Sequence, residues 1–188
     1  DIVPDIMTLA KGIASSYIPF GAVAVSAEIN APFESGETHF IHGFTNGGHP
    51  LGCAAGSELI DIIRDENLLE NCRKQSEVLF SYREQLLAHP TVRDVRGWGL
   101  MMVLELVKDK ESLDFFDSSL QAEKLYSAIT LKHGLVMYGS LYGPRRQAAF
   151  KRGLPSWISP PLTISSEEMH DLVSRLDSAL SEWESIVL

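Results

Sequence analysis

The period of apolar and polar positions changes several times along the chain, and each change predicts an element. From Ile6 to Ala27 the residues are almost all small or apolar, with Lys11 the one charge. Gly12, Pro19 and Gly21 interrupt this run and Ser15, Ser16 and Tyr17 wet its middle, so it reads as buried α/β core rather than a membrane-spanning helix. Within it, Phe20 to Ser26 is short, apolar and bounded by Pro19 and Glu28, as expected of a buried strand. Asn30 to Thr38 reads as a polar loop. Gly43 to His49 then leads into a helix with Pro50 at its first position and Leu51, Ala55, Leu59, Ile62 and Ile63 on one face. Asp65 to Asn67 breaks that helix. Asn67 with Glu70 resembles a capping box for a second one, along which Leu68, Cys72, Leu79, Arg83 and Leu86 recur at helical spacing until Pro90.

Beyond Pro90 the pattern shifts. Val92 to Val107 predicts two strands around Gly97-Trp98-Gly99. Ala122 to Lys132 predicts a helix with Leu125 and Ile129 inward and Gly134 as its C-terminal cap. Leu135 to Tyr138 reads as a short strand, Tyr142 to Leu154 as a basic loop, and Trp157-Ile158-Ser159 leads to Pro160-Pro161. The last helix is the clearest: Ser165 and Glu168 form a capping box ahead of an apolar stripe of Met169, Leu172, Val173, Leu176, Leu180 and Trp183. The pattern is therefore α/β over residues 1–67 and α+β over 68–188.

Composition narrows the function classes. The chain has 188 residues, 45% of them hydrophobic and 22% charged, as in a folded globular protein. With 16 Lys and Arg against 25 Asp and Glu, the net charge is −9. This acidity argues against a nucleic-acid or anionic-membrane binder. Cys53 and Cys72 are too few for a disulfide framework and read as reduced core thiols of a cytoplasmic protein. Asp1-Ile2-Val3-Pro4-Asp5 is no secretory leader, and an opening Asp reads as the interior of a longer protein.

Three clusters could carry chemistry. Lys11 stands alone among apolar residues. Desolvation would favour its neutral amine, which can attack a carbonyl and form a Schiff base; otherwise it is a lysine at an element end whose ammonium reaches water. Thr45 to Pro50 offers a hydroxyl, backbone N–H groups and a helix N-terminus, which suits a phosphate as well as it suits an ordinary cap. Arg145, Arg146, Lys151 and Arg152 form a basic loop, either solvated or able to recognise a substrate carboxylate. His39, His42 and His49 have no Cys, Asp or Glu at a zinc-like spacing, so no metal site is expected.

Pro4-Asp5-Ile6-Met7-Thr8-Leu9-Ala10-Lys11-Gly12-Ile13, continued by Tyr17-Ile18-Pro19-Phe20-Gly21, resembles the lysine signature of class III pyridoxal-phosphate aminotransferases. His42-Gly43-Phe44-Thr45 with Gly48-His49-Pro50, Arg96-Gly97-Trp98-Gly99-Leu100-Met101 and Pro160-Pro161-Leu162 match later landmarks of that family in order. The resemblance implies fold type I: residues 1–67 would end a large cofactor-binding domain with a mixed sheet, and 68–188 would form an interdomain helix and a small α+β C-terminal domain. It implies pyridoxal 5′-phosphate as cofactor, with Lys11 as the Schiff-base lysine and proton carrier, and Thr45 binding the phosphate from the neighbouring subunit of a homodimer. Phe44 would sit beside Thr45 at that subunit interface.

The resemblance further implies transfer of an amino group between an amine or amino acid and a 2-oxo acid, with neither nucleic acid nor membrane as partner. A racemase or aminomutase would share the lysine and cofactor, and a non-catalytic fragment or dimerisation module is the reading from another class. Two departures stand out. Ser16 occupies a position where glycine is common, and Tyr138 stands where many members carry an arginine for the substrate carboxylate, with Arg145 and Arg146 further on. Since the resemblance covers only the family's second half, the ring-nitrogen acid and the stacking aromatic are expected before Asp1, and activity is expected to require that missing half.

Overall fold

The structure is a computed structural model that describes residues 2–112, 114, 116, 121–137 and 153–188. Tyr138, Arg145, Arg146, Lys151 and Arg152 lie outside the described residues. The chain divides into two compact units, Asp1–Asn67 and Leu68–Leu188.

In the first unit, β1 (Ile6–Ala10) pairs antiparallel with β2 (Gly21–Val25), with Ile6 opposite Val25 and Ala10 opposite Gly21. A short 3₁₀ turn, Lys11–Ala14, begins the connection between the two strands. Two helices follow, α1 (Ala27–Glu34) and α2 (Pro50–Asp65). The first corrects the reading of Asn30 to Thr38 as loop throughout. Ser26 caps α1, its Oγ accepting from the Ile29 N–H, and Glu28 sits in the first turn, where the helix dipole favours an acid. The helix then ends shortly after Pro32.

The strand over 20–26 is present but is not buried. Val23 is 64% exposed and Ile6 57%, because a two-stranded ribbon covers neither of its faces. Cys53 is likewise exposed rather than a core thiol, while Cys72 is half-buried.

In the second unit, α3 (Leu68–Ser81) and α4 (Arg83–Ala88) replace the single helix expected before Pro90. Asn67 does not open α3 as a cap: its φ of 52° is left-handed, whereas an N-cap is extended. An antiparallel sheet follows in the order β3 (Val92–Trp98), β4 (Met101–Leu106), β5 (Leu154–Ile158). Trp98 pairs with Met101, so the hairpin tip is Gly99-Leu100 and Gly97 lies within β3. A Cβ at Gly97 would stand 2.0 Å from the Met101 carbonyl oxygen, so no larger residue fits there.

Helices α5 (Ala122–Lys132) and α6 (Ser166–Val187) complete this unit. The end of α5 explains why Leu135 to Met137 is not the expected strand. Gly134 takes φ 80°, its N–H bonds Leu131 O and the Leu135 N–H bonds Thr130 O, so these donors close the helix instead of a ladder. The capping box of α6 is formed as its sequence predicts: Glu168 N–H donates to Ser165 Oγ at 3.2 Å and Ser165 N–H to Glu168 Oε2 at 2.8 Å. The α6 stripe is buried apart from the half-buried Leu172, and Trp183 is its keystone. Its ring meets Tyr126 at 5.3 Å and Phe116 at 4.8 Å, and its Nε1–H donates to Ala122 O at 3.0 Å. From the strands, Met102, Leu104 and Leu106 face the same core with no exposed surface. Deep burial pushes the Tyr126 phenol far above its ordinary range, although its hydroxyl shares a hydrogen bond with Ser156 Oγ.

Polar groups fasten α6 to the start of β3. Glu184 accepts from the Thr91 N–H and hydroxyl, and lies 2.9 Å from His89 Nδ1; His89 Nε2 is 3.1 Å from Asp177. With a carboxylate at each ring nitrogen, the imidazolium is the form that satisfies both. The hydrogen bond to Glu184 raises the His89 pKa above 6.5, with Asp177 adding to it against the burial that opposes it. For Glu184, burial alone would raise the pKa, but the hydrogen bonds from His89 and Thr91 outweigh it and hold the carboxyl below 4.5.

The signs follow from linkage. The His89 contribution is complete below 6.5 and is lost as pH rises through its raised folded value; that of Glu184 is complete above 4.5 and is lost as pH falls through its lowered one. Thermal unfolding followed from pH 6 to 9 should therefore show stability declining in the parent protein, at no more than about 1.4 kcal/mol per pH unit for one proton. In His89→Gln that decline should be flatter.

Candidate active site

Lys11 is the first residue off the ladder. Ala10 still pairs with Gly21, and Lys11 then turns to φ 58°, a left-handed conformation that disfavours any residue with a Cβ. The turn is closed by the Ser15 N–H on Gly12 O at 3.1 Å and the Tyr17 N–H on Ala14 O at 2.9 Å. Ala14 is buried, which ties the turn down while Lys11 stays exposed. Among the described residues nothing covers the Lys11 side chain, so the desolvation expected of its amine is not seen. Among the described residues Lys11 Nζ has no hydrogen-bond or ion-pair partner, and a Cβ at the adjoining Gly12 would meet nothing within 4 Å. The amine is accessible.

Phe44 and Thr45 lie in the exposed turn ahead of α2, where the Gly47 N–H bonds Phe44 O at 2.9 Å and Gly48 takes φ 67°. His49 is the N-cap but donates no side-chain cap, and Pro50 at the first position has no N–H to offer. The next N–H groups of the first turn thus have no side-chain cap, at the positive end of a helix of 16 residues. No hydrogen bond joins Lys11 to Thr45 among the described residues.

Sequence reading missed the row of rings leading to this turn. Phe33 and Phe40 meet edge-on at 5.9 Å and Phe40 and His42 at 5.8 Å, and His42 and Phe44 lie tilted to each other at 6.3 Å. The alternation Phe40, His42, Phe44 was the available signal, although the His42 N–H bonds Phe40 O and no strand forms there.

The aminotransferase class-III family matches residues 1–180, and the chain belongs to that family. An aminotransferase of Gibberella zeae is 36% identical over 181 residues, which are 95% of this chain and 35% of that protein. The crystal structure of an (S)-enantioselective omega-transaminase from Thermomicrobium roseum superposes with a TM-score of 0.79 at 36% identity, over 97% of this chain and 38% of that one. A pyridoxal-phosphate-bound aminotransferase mutant from Vibrio fluvialis superposes at 0.81 with 28% identity, over all of this chain and 39% of its own. The chain thus spans under two fifths of each of these three proteins, and pyridoxal 5′-phosphate is the cofactor that goes with the family.

Ser16 adopts φ 63° and Ser15 φ 45°, so the serine that stands where glycine is common carries left-handed strain. Ser16→Gly should raise stability by up to about 1 kcal/mol, the strain relieved being partly offset by the greater freedom of glycine when unfolded. Ser16→Val should lower it. Thermal unfolding of the two variants beside the parent checks both signs.

Proposed function

We propose that this chain is the C-terminal portion of a pyridoxal-phosphate-dependent aminotransferase, with Lys11 as the covalent anchor of the cofactor. In that reading residues 1–67 close the large cofactor-binding domain, and 68–188 form the interdomain helix and the small C-terminal domain. The observation that carries it is the exposed Lys11 amine, held by its backbone turn at the end of a strand and free of any ionic partner among the described residues. The donor set fits the cofactor: an accessible amine suits an aldehyde, while the Thr45 hydroxyl and an uncapped helix N-terminus suit a phosphate. Thr45 would serve the site of the neighbouring subunit in a homodimer, with Phe44 beside it.

When bound, the cofactor supplies an aldehyde that takes up amines and a ring that draws electrons from the donor carbon. Lys11 would hold the group through its aldehyde and, as a free amine, would carry the proton at the reacting carbon. Over a full cycle the donor would become a carbonyl compound whose oxygen comes from water, the 2-oxo acid would gain the amino group and release its oxygen as water, and no external oxidant would be consumed. Similarity to an omega-transaminase supports an amine as donor. The coverage of the relatives supports a catalytic unit longer than this stretch.

In the full-length protein, Lys11→Arg should lower turnover by about 10³-fold or more while the fold persists, since a guanidinium neither condenses with an aldehyde nor carries protons at neutral pH. Borohydride should fix the cofactor on residue 11 of the parent and nowhere in the variant; fixation on another lysine refutes the assignment. Thr45→Ala should weaken cofactor binding by about 1 to 2 kcal/mol, the cost of losing a hydrogen bond to a charged group, measured as the cofactor Kd.

A further inference from the structure

A clue to how Lys11 is held lies across the ladder from it. Ala10 pairs with Gly21, so the residues that flank this last rung are Lys11 on one strand and Phe20 on the other. The two are the ends of one connection, and whatever fixes Phe20 fixes the point at which Lys11 leaves the ladder. Phe20 lies against the first half of α2. A Cβ at Gly52 would come 2.8 Å from the ring's Cδ2, and one at Gly56 would come 2.8 Å from its Cε1. Both glycines are buried. Their spacing places them one turn apart on one face, so together they form a slot that no residue with a side chain leaves open.

The same face touches the Lys11 turn directly, since a Cβ at Gly56 would lie 3.5 Å from the Ile13 carbonyl oxygen. Helix α2 therefore holds the connection at two places, the Ile13 backbone and the Phe20 ring, with Lys11 just outside the first and across the rung from the second. Backbone that runs left-handed at Lys11, Ser15 and Ser16 persists only where its surroundings over-determine it. The seated ring and the buried Ala14 supply that constraint.

We propose that Phe20, seated in the Gly52–Gly56 slot, is a positioning residue for the Lys11 amine. This rests on the reading of Lys11 as the cofactor-binding lysine. The ring acts through the Ala10–Gly21 rung. Because the slot lies on the helix whose N-terminus follows Thr45, the same wedge ties the Lys11 turn to the phosphate-binding turn of this chain.

The test uses the full-length protein carrying Gly56→Ala, Phe20→Leu, or both, with Lys11→Ala as control. Each protein is stripped of cofactor and re-supplied with pyridoxal phosphate, and the rate at which borohydride fixes cofactor on residue 11 is followed by mass spectrometry. kcat, KM and Tm are measured alongside. Gly56→Ala, which pushes the ring out, should slow fixation and lower kcat by about 10-fold or more, as small displacements of a reacting group do, with KM for the 2-oxo acid within about 2-fold of the parent. The smaller leucine in the double variant should restore both rates to within about 3-fold of the parent.

If Gly56→Ala fails to fold, Phe20→Leu alone decides, because a loosened wedge should also slow fixation. A lowered Tm with fixation rate and kcat unchanged overturns the proposal, as does a double variant that folds and stays as slow as Gly56→Ala. Cofactor still fixed on some other residue in Lys11→Ala overturns the reading of Lys11 instead. Fixation abolished by Lys11→Ala but untouched by the Phe20 and Gly56 variants overturns the wedge alone.

Discussion

Burial of Trp183 is the constraint around which the second unit is arranged. An indole of that size reaches the middle of a core only if its N–H finds an acceptor, and Ala122 O supplies one at the first residue of α5. That bond ties α6 to α5, as does the one from Lys132 to Glu182. The edge-on contact with Tyr126 extends the tie, and the Tyr126 hydroxyl reaches Ser156 on β5. Helix, helix and sheet are thereby linked through two aromatic side chains, each apolar in body and satisfied at its polar tip. The carboxylate and imidazole groups between α6 and the start of β3 are a second, ionic fastening on the same helix.

The opposite face of the sheet has its own buried charge. Glu105 on β4 is 7% exposed and accepts from Arg96, from Arg93 and from the Gly153 N–H. A carboxylate so enclosed is tolerable only because its oxygens are engaged, and losing one partner would cost more than the pair gains. Arg96 belongs to the Arg-Gly-Trp-Gly-Leu-Met landmark, so part of that landmark's meaning is structural: the arginine neutralises a strand acid, and Gly97 makes room for the Met101 carbonyl.

How much could be read in advance differed between the two units for a physical reason. The second unit is self-contained, so period, caps and burial agree: the Ser165 capping box, the α6 stripe and the Gly134 terminator all have local causes that sequence exposes. One of its failures, the strand expected from Leu135, came from a backbone donor committed to a helix end, which side-chain pattern does not report. In the first unit, Phe20 to Ser26 shows the apolar content of a buried strand, yet the hairpin covers neither of its own faces. The Lys11 motif and the turn ahead of Pro50 were legible because chemistry restricts residue type there. The Phe20 slot was not, since it joins a ring before one strand to two glycines on a helix far along the chain.

The two cysteines bring an experimental consequence. Cys53 lies open near the start of α2, where its N–H makes the bond to His49 O, while Cys72 is half-buried on α3. Within this chain a maleimide fluorophore therefore has one preferred address. That address stands next to Gly52 in sequence and a few residues past the turn that carries Thr45. A dye attached there would serve as an optical gauge of that helix end, brightening or dimming as the turn orders, with no engineered residue required.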